Sequence, residues 1–156
     1  MIEIKPPNKF RNKIYVFLAG SIEMGKAEDW QQKVSKELSE FDEIVILNPR
    51  RDDWDSSWKQ SIDNTKFKEQ VEWELEAQEK ADYIIMNFVK DTKSPISLLE
   101  LGLFINSKKI LVCCPDGFWR KGNVDIVCQR YNGVVPFQNM DDLISEFKET
   151  LRWNKC

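Results

Sequence analysis

What most constrains the fold is an alternation along the 156 residues: short β-branched and aromatic runs are separated by longer stretches of three-to-four-residue apolar periodicity. The runs are Ile14–Ala19, Ile44–Leu47, Asp82–Phe88, Lys109–Cys114 and Val134–Phe137, each with the length and content of a buried strand. A first helical pattern spans about Ala27 to Phe41, where Trp30, Val34, Leu38 and Phe41 form one stripe. A second runs from about Asn64 to Ala81 with Phe67, Val71 and Leu75 inward. A third opens at Ser94-Pro95, a capping residue followed by proline at the first helical position, and continues to about Ser107. The last begins near Asp141-Asp142 and carries Leu143, Ile144, Phe147 and Leu151.

Strands alternating with helices predict right-handed βαβ units. The expected architecture is α/β: a flavodoxin-like, doubly wound, five-stranded parallel sheet with helices on both faces, forming one domain over residues 1–156. Ligands of such sheets bind beyond the carboxyl ends of the strands where strand order reverses, here between the first and third runs. That selects the loops Gly20 to Lys26, Asn48 to Trp54, Asn87 to Pro95 and Pro115 to Asp125.

Composition removes whole classes of chemistry. Charges of both signs are interleaved and sum to -3, which does not advertise a nucleic-acid polymer or an anionic membrane as partner. No apolar run is long enough to span a bilayer, and Met1 to Pro7 lacks the apolar core of a signal peptide, so a cytoplasmic location is expected. The four cysteines form no ligand-spaced cluster. There is no histidine, so proton transfer falls to carboxylates, tyrosine, lysine or water, and any catalysis is carboxylate-centred or cofactor-borne; of these the carboxylate-centred reading, with no cofactor, is the expectation.

Glu100 is the anomaly. Ile96, Leu103 and Phe104 stand at minus four, plus three and plus four, on the carboxylate's side of a helix. An unpaired buried carboxylate is costly or becomes neutral, so such a residue has a partner or a task. The alternatives are rotation to the rim or pairing with a lysine. Glu74 lies on a helix dense with acids, most of them a solvated face, but shares a side with Gln70, Trp73 and Ala77. In Gly20-Ser21-Ile22 the glycine permits close backbone approach, and Ser21 with the following amides can cradle a phosphate or ribose oxygen. Ser94 is first a helix cap. Arg50, Arg51, Trp54 and Trp58 pair cations with aromatics, suited to a base, a phosphate or a subunit contact. Lys121 to Asp125 end a polar loop that holds Phe118 and Trp119.

Together, Leu18-Ala19-Gly20-Ser21-Ile22, the acidic helix ending in Ala81-Asp82, Leu99-Glu100-Leu101-Gly102 and Pro115 to Asn123 resemble the nucleoside 2-deoxyribosyltransferase family, whose superfamily includes nucleoside 5'-monophosphate N-glycosidases. The resemblance implies that Glu100 is the nucleophile and that Glu74, eight positions before Asp82, contacts the base. It implies a substrate site drawing on Gly20, Ser21, Ile22, Asn87, Ser94, Asn123 and Asp125, with Asn123 contributed by a neighbouring subunit of a homo-oligomer. Ser21 and Ser94 match serines that hold phosphate in the nucleotide-cleaving branch. The implied partners are a small-molecule nucleoside or nucleotide and a free nucleobase. Deoxyribosyl transfer is expected first, nucleotide hydrolysis second, and a non-catalytic nucleotide-binding module third. Relatives often hold the nucleophile with a tyrosine near the end of the first strand, where this chain has Val16-Phe17.

Overall fold

The computed structural model describes residues 1–6, 13–22 and 29–153. Its strands are β1 (Ile2–Ile4), β2 (Ile14–Gly20), β3 (Ile44–Leu47), β4 (Tyr83–Asn87) and β5 (Ile110–Cys113). They form one sheet in the order β1-β3-β2-β4-β5, and every pairing is parallel. The helices are α1 (Trp30–Glu37), α2 (Thr65–Lys80), α3 (Pro95–Phe104), α4 (Lys121–Asn132) and α5 (Met140–Trp153).

The strands are continuously apolar because both faces of the sheet are covered. Successive residues serve opposite sides. Val16, Leu18, Ile44, Ile46 and Ile85 meet Trp30, Val34 and Leu38 together with Leu143, Phe147 and Leu151. Phe17, Ala19, Val45, Leu47, Ile84 and Met86 meet Trp73 and Ala77 of α2, Leu101 of α3, and Val124 and Cys128 of α4. The fold is therefore the expected flavodoxin-like α/β sheet, with α1 and α5 on one face and α2, α3 and α4 on the other.

The fifth strand differs from expectation. Of Val134–Phe137, only Phe137 bridges Cys113, its amide donating to Val112 O at 2.8 Å, while Val134 and Val135 are exposed. Pro136 has no amide to give a ladder, which limits the pairing there. The missing strand is Ile2–Ile4, added at the opposite edge in register with Val45 to Leu47. Three residues with one charge among them leave too short a pattern for periodicity to detect.

Other boundaries move as well. Lys121 to Asp125 open α4 rather than ending a loop; its first turn is polar and its N-cap Arg120 makes no side-chain cap bond, so the usual start signals are missing. On α2 the buried residues are Gln70, Trp73, Ala77 and Gln78, whereas Phe67, Val71 and Leu75 are only half-buried. On α3 they are Ser97, Glu100 and Leu101, with Ile96, Leu99 and Leu103 turned outward. The expected helical residues 27 and 28, and residues 23–26 of the loop after β2, lie outside the described residues. Cys113, Cys114 and Cys128 are buried free thiols pushed by burial up to about 11, 12 and 11, which suits packing rather than reactivity. Among the described residues, no helix is long and apolar enough to cross a membrane.

Candidate active site

The site lies where β2 and β4, central neighbours in the sheet, release their chains. Gly20 is paired with Asn87, and its φ of 132° belongs to glycine. A Cβ there would sit 2.2 Å from Asn87 O, so no side chain fits between the two strand ends. The chain then turns into Ser21, whose amide donates to Asn87 O at 2.9 Å. Ser21 Oγ accepts from the Val89 amide at 2.9 Å and lies 2.9 Å from Thr92 Oγ1 and 2.5 Å from Ser94 Oγ; Thr92 and Ser94 close the triangle at 2.9 Å. Thr92 donates to Val89 O at 2.7 Å. A hydroxyl has a single proton and that of Thr92 goes to Val89 O, so the Ser21 and Ser94 protons are shared among the three edges of the triangle. These hydroxyls lock the β2 and β4 loops together and set the start of α3.

From that start α3 carries Glu100 inward. It is 8 % exposed, so the expectation of burial holds, but for a different reason. Ile96 and Leu103, which helical spacing places beside it, face solvent, and Glu100 instead faces α2. Gln78 Nε2 donates to Glu100 Oε1 at 2.7 Å. One turn back, Gln70 Nε2 donates to Glu74 Oε1 at 2.6 Å and to Pro49 O at 3.0 Å, tying α2 to the loop after β3. Gln70, Glu74 and Gln78 thus stand one turn apart on a polar ridge of α2.

Both carboxyls are perturbed upward. Burial pushes Glu100 to about 7, opposed by the Gln78 bond. Burial pushes Glu74 to about 8, aided by the charge of Glu100 and opposed by Gln70. Repulsion falls on Glu74 because the group that ionises first burdens the second. No lysine or arginine acts on either carboxyl among the described residues, so the lysine pairing considered for Glu100 is absent. At neutral pH the pair favours one charge and one proton, the division a nucleophile and a general acid require.

The description "nucleoside 2-deoxyribosyltransferase like" matches residues 13–118. The chain belongs to the nucleoside 2-deoxyribosyltransferase-like family. No curated protein matches it. Membership supports the general kind of reaction, attack on the bond between a base and a deoxyribose. The matched segment runs from β2 past β5 and contains both perturbed carboxyls.

Other candidates fall into place within or beyond that segment. Ile22 is half-buried beside Ser21, and Asn87 is buried at the end of β4. Asn123 and Asp125 lie after the match, in the first turn of α4; Asn123 is exposed, and Asp125 is engaged by Lys121 at 3.1 Å. Arg51 serves its own loop, pairing with Asp53 and Glu69 and lying 5.3 Å from the Trp58 ring, which in turn meets Trp54. Arg50 pairs with Asp29 at 3.1 Å. In the sequence Gln70 figures only as a neighbour of Glu74, and Gln78 and Thr92 have no place. The glutamines were detectable only through their one-turn spacing around Glu74, and Thr92 only as a hydroxyl two positions before Ser94.

Proposed function

We propose that this protein breaks the N-glycosidic bond of a 2'-deoxynucleoside and passes the deoxyribosyl group to a second nucleobase. Glu100 attacks the anomeric carbon, forming a C–O ester bond while the C–N bond breaks. The bonding pair leaves on the base nitrogen, which takes the Glu74 proton. An incoming base then attacks the same carbon and surrenders its proton to Glu74; the ester breaks and Glu100 recovers its charge. The reading is carried by one observation: a buried carboxyl and a half-buried one, with no cation on either among the described residues, each held by a glutamine amide and raised to about 7 and about 8.

The alternative is hydrolysis of a nucleoside 5'-monophosphate through the same ester. Ser21 and Ser94 at the start of α3 would favour it, their hydroxyls standing together with that of Thr92 between the β2 and β4 loops. We further propose self-association through Ile96, Leu99 and Leu103, exposed on the helix that carries Glu100, with Asn123 of a second copy completing the sugar site.

Incubation with deoxyinosine and adenine, and separately with deoxynucleoside monophosphates, tests the assignment. Transfer gives deoxyadenosine and hypoxanthine in the first mixture. Free base and sugar phosphate in the second would establish the hydrolase instead, and nucleotide binding without turnover would leave a binding module.

A further inference from the structure

A carboxylate that attacks carbon must hold one lone pair in line with the breaking bond, and a flexible glutamate side chain does not do this unaided. Gln78 is fully buried on α2, and its Nε2 has two hydrogens with two acceptors: Glu100 Oε1 at 2.7 Å and, one turn back on its own helix, Glu74 O at 3.3 Å. The second bond ties the amide to the backbone of α2. That backbone is itself clamped by Lys109, the residue before β5, whose ammonium donates to Gln78 O at 2.7 Å, Glu79 O at 2.9 Å and Ala81 O at 2.9 Å. The amide is therefore fixed at its root and at its head.

Its other end makes no contribution to the fold. Among the described residues Gln78 Oε1 is buried without a hydrogen-bond partner, an arrangement that is unfavourable and that an apolar residue of the same volume would avoid. A buried glutamine with one orphaned atom and one charged partner is spent on that partner.

We propose that Gln78 is the positioning residue for Glu100, holding one carboxylate oxygen so that the other faces the sugar's anomeric carbon. This rests on the function proposed above. It also makes α2 the support of both halves of the reaction, since the acid Glu74 and the residue that holds the nucleophile are one turn apart on it. Glu74 is the titratable group coupled to Glu100, and burial acts against the Gln78 bond on the Glu100 carboxyl. Loss of the bond therefore moves Glu100 further toward its neutral form.

Gln78→Met, which keeps the volume and removes both hydrogen bonds, tests the assignment. The expected result is a kcat lower by about ten- to hundredfold with KM within about twofold, and an acidic limb of the kcat/KM profile displaced upward by about one to two pH units. Carboxyl carbon NMR of the ligand-free protein follows Glu100 without any turnover, and its titration should move upward in the variant by a similar amount. Should Gln78→Met not fold, Gln78→Asn, too short to reach Glu100, carries the same expectations. A variant whose pH limb and Glu100 titration match the parent overturns the proposal. If the parent protein neither transfers nor hydrolyses, the functional reading fails by itself, and the NMR titration still decides whether Gln78 holds Glu100.

Discussion

Helices α5 and α2 cover opposite faces of the same sheet and obey different rules. On α5 the buried residues are Leu143, Ile144, Phe147 and Leu151, an uninterrupted apolar stripe that excludes water. On α2 they are Gln70, Trp73, Ala77 and Gln78, and the polar members of that set face carboxylates rather than the core. Polar burial without full satisfaction is unfavourable, and among the described residues Gln70 Oε1 and Gln78 Oε1 both lack partners. The α5 face is built for stability, whereas the α2 and α3 face gives up stability to hold one acid buried and a second half-buried beside it, a division expected where a local rule is broken at a functional site.

The sharpest way to break this comparison is at Glu100. Glu100→Gln should lower transfer by at least about a thousandfold, measured by chromatography of the product nucleoside, because the proposed ester forms on this carboxylate and an amide is a poor nucleophile. The same substitution should raise stability at pH 8 by about 1–3 kcal/mol in urea unfolding. The opposite pattern belongs to α5: Phe147→Ala, at a fully buried position, should lower stability by about 3–5 kcal/mol and leave the pH profile of any residual activity in place. Glu74→Gln should reduce turnover by about a hundredfold and abolish the basic limb, with smaller losses for bases that leave without protonation.

The pH dependence has two parts with one cause. Activity needs Glu100 ionised, above about 7, and Glu74 protonated, below about 8, so kcat/KM should peak in a narrow band between them. Stability runs the other way. Both folded values lie above the ordinary 4.5, so the unfolded chain releases these protons first; their contribution is complete below about 4.5 and is lost as pH rises through 7 to 8. A Glu74→Gln, Glu100→Gln double variant should flatten that loss in melts recorded from pH 5 to 9. The smallest effect on the isolated fold is expected from Leu103→Glu, within about 0.5 kcal/mol because the side chain is exposed, yet it should reduce self-association in sedimentation runs.

The legible parts of the chain were those where one physical demand acts alone. The runs at Ile14, Ile44, Tyr83 and Ile110 and the α5 stripe need only burial, and apolar periodicity reports burial directly. On α2, periodicity selected Phe67, Val71 and Leu75 because glutamine in a helix reads as surface. On α3 it treated Ile96 and Leu103 as inward, although both are exposed. Glu100 and Glu74 are legible in the spacing of short motifs and their mixed surroundings; Gln70 shows only as a neighbour one turn from Glu74, and the tie from Gln78 to Glu100 exists only once α2 and α3 are packed together. Ser21 and Ser94 were read as ligand groups; their closure with Thr92 depends on loops that meet only in three dimensions.

The central claim is that Glu100 becomes covalently attached to the sugar. Rapid acid quench of the protein mixed with deoxyinosine and no acceptor base, followed by peptide mass analysis, should find one deoxyribosyl adduct on the peptide containing Glu100. Turnover with no adduct at any time, or an adduct on a different residue, would contradict it.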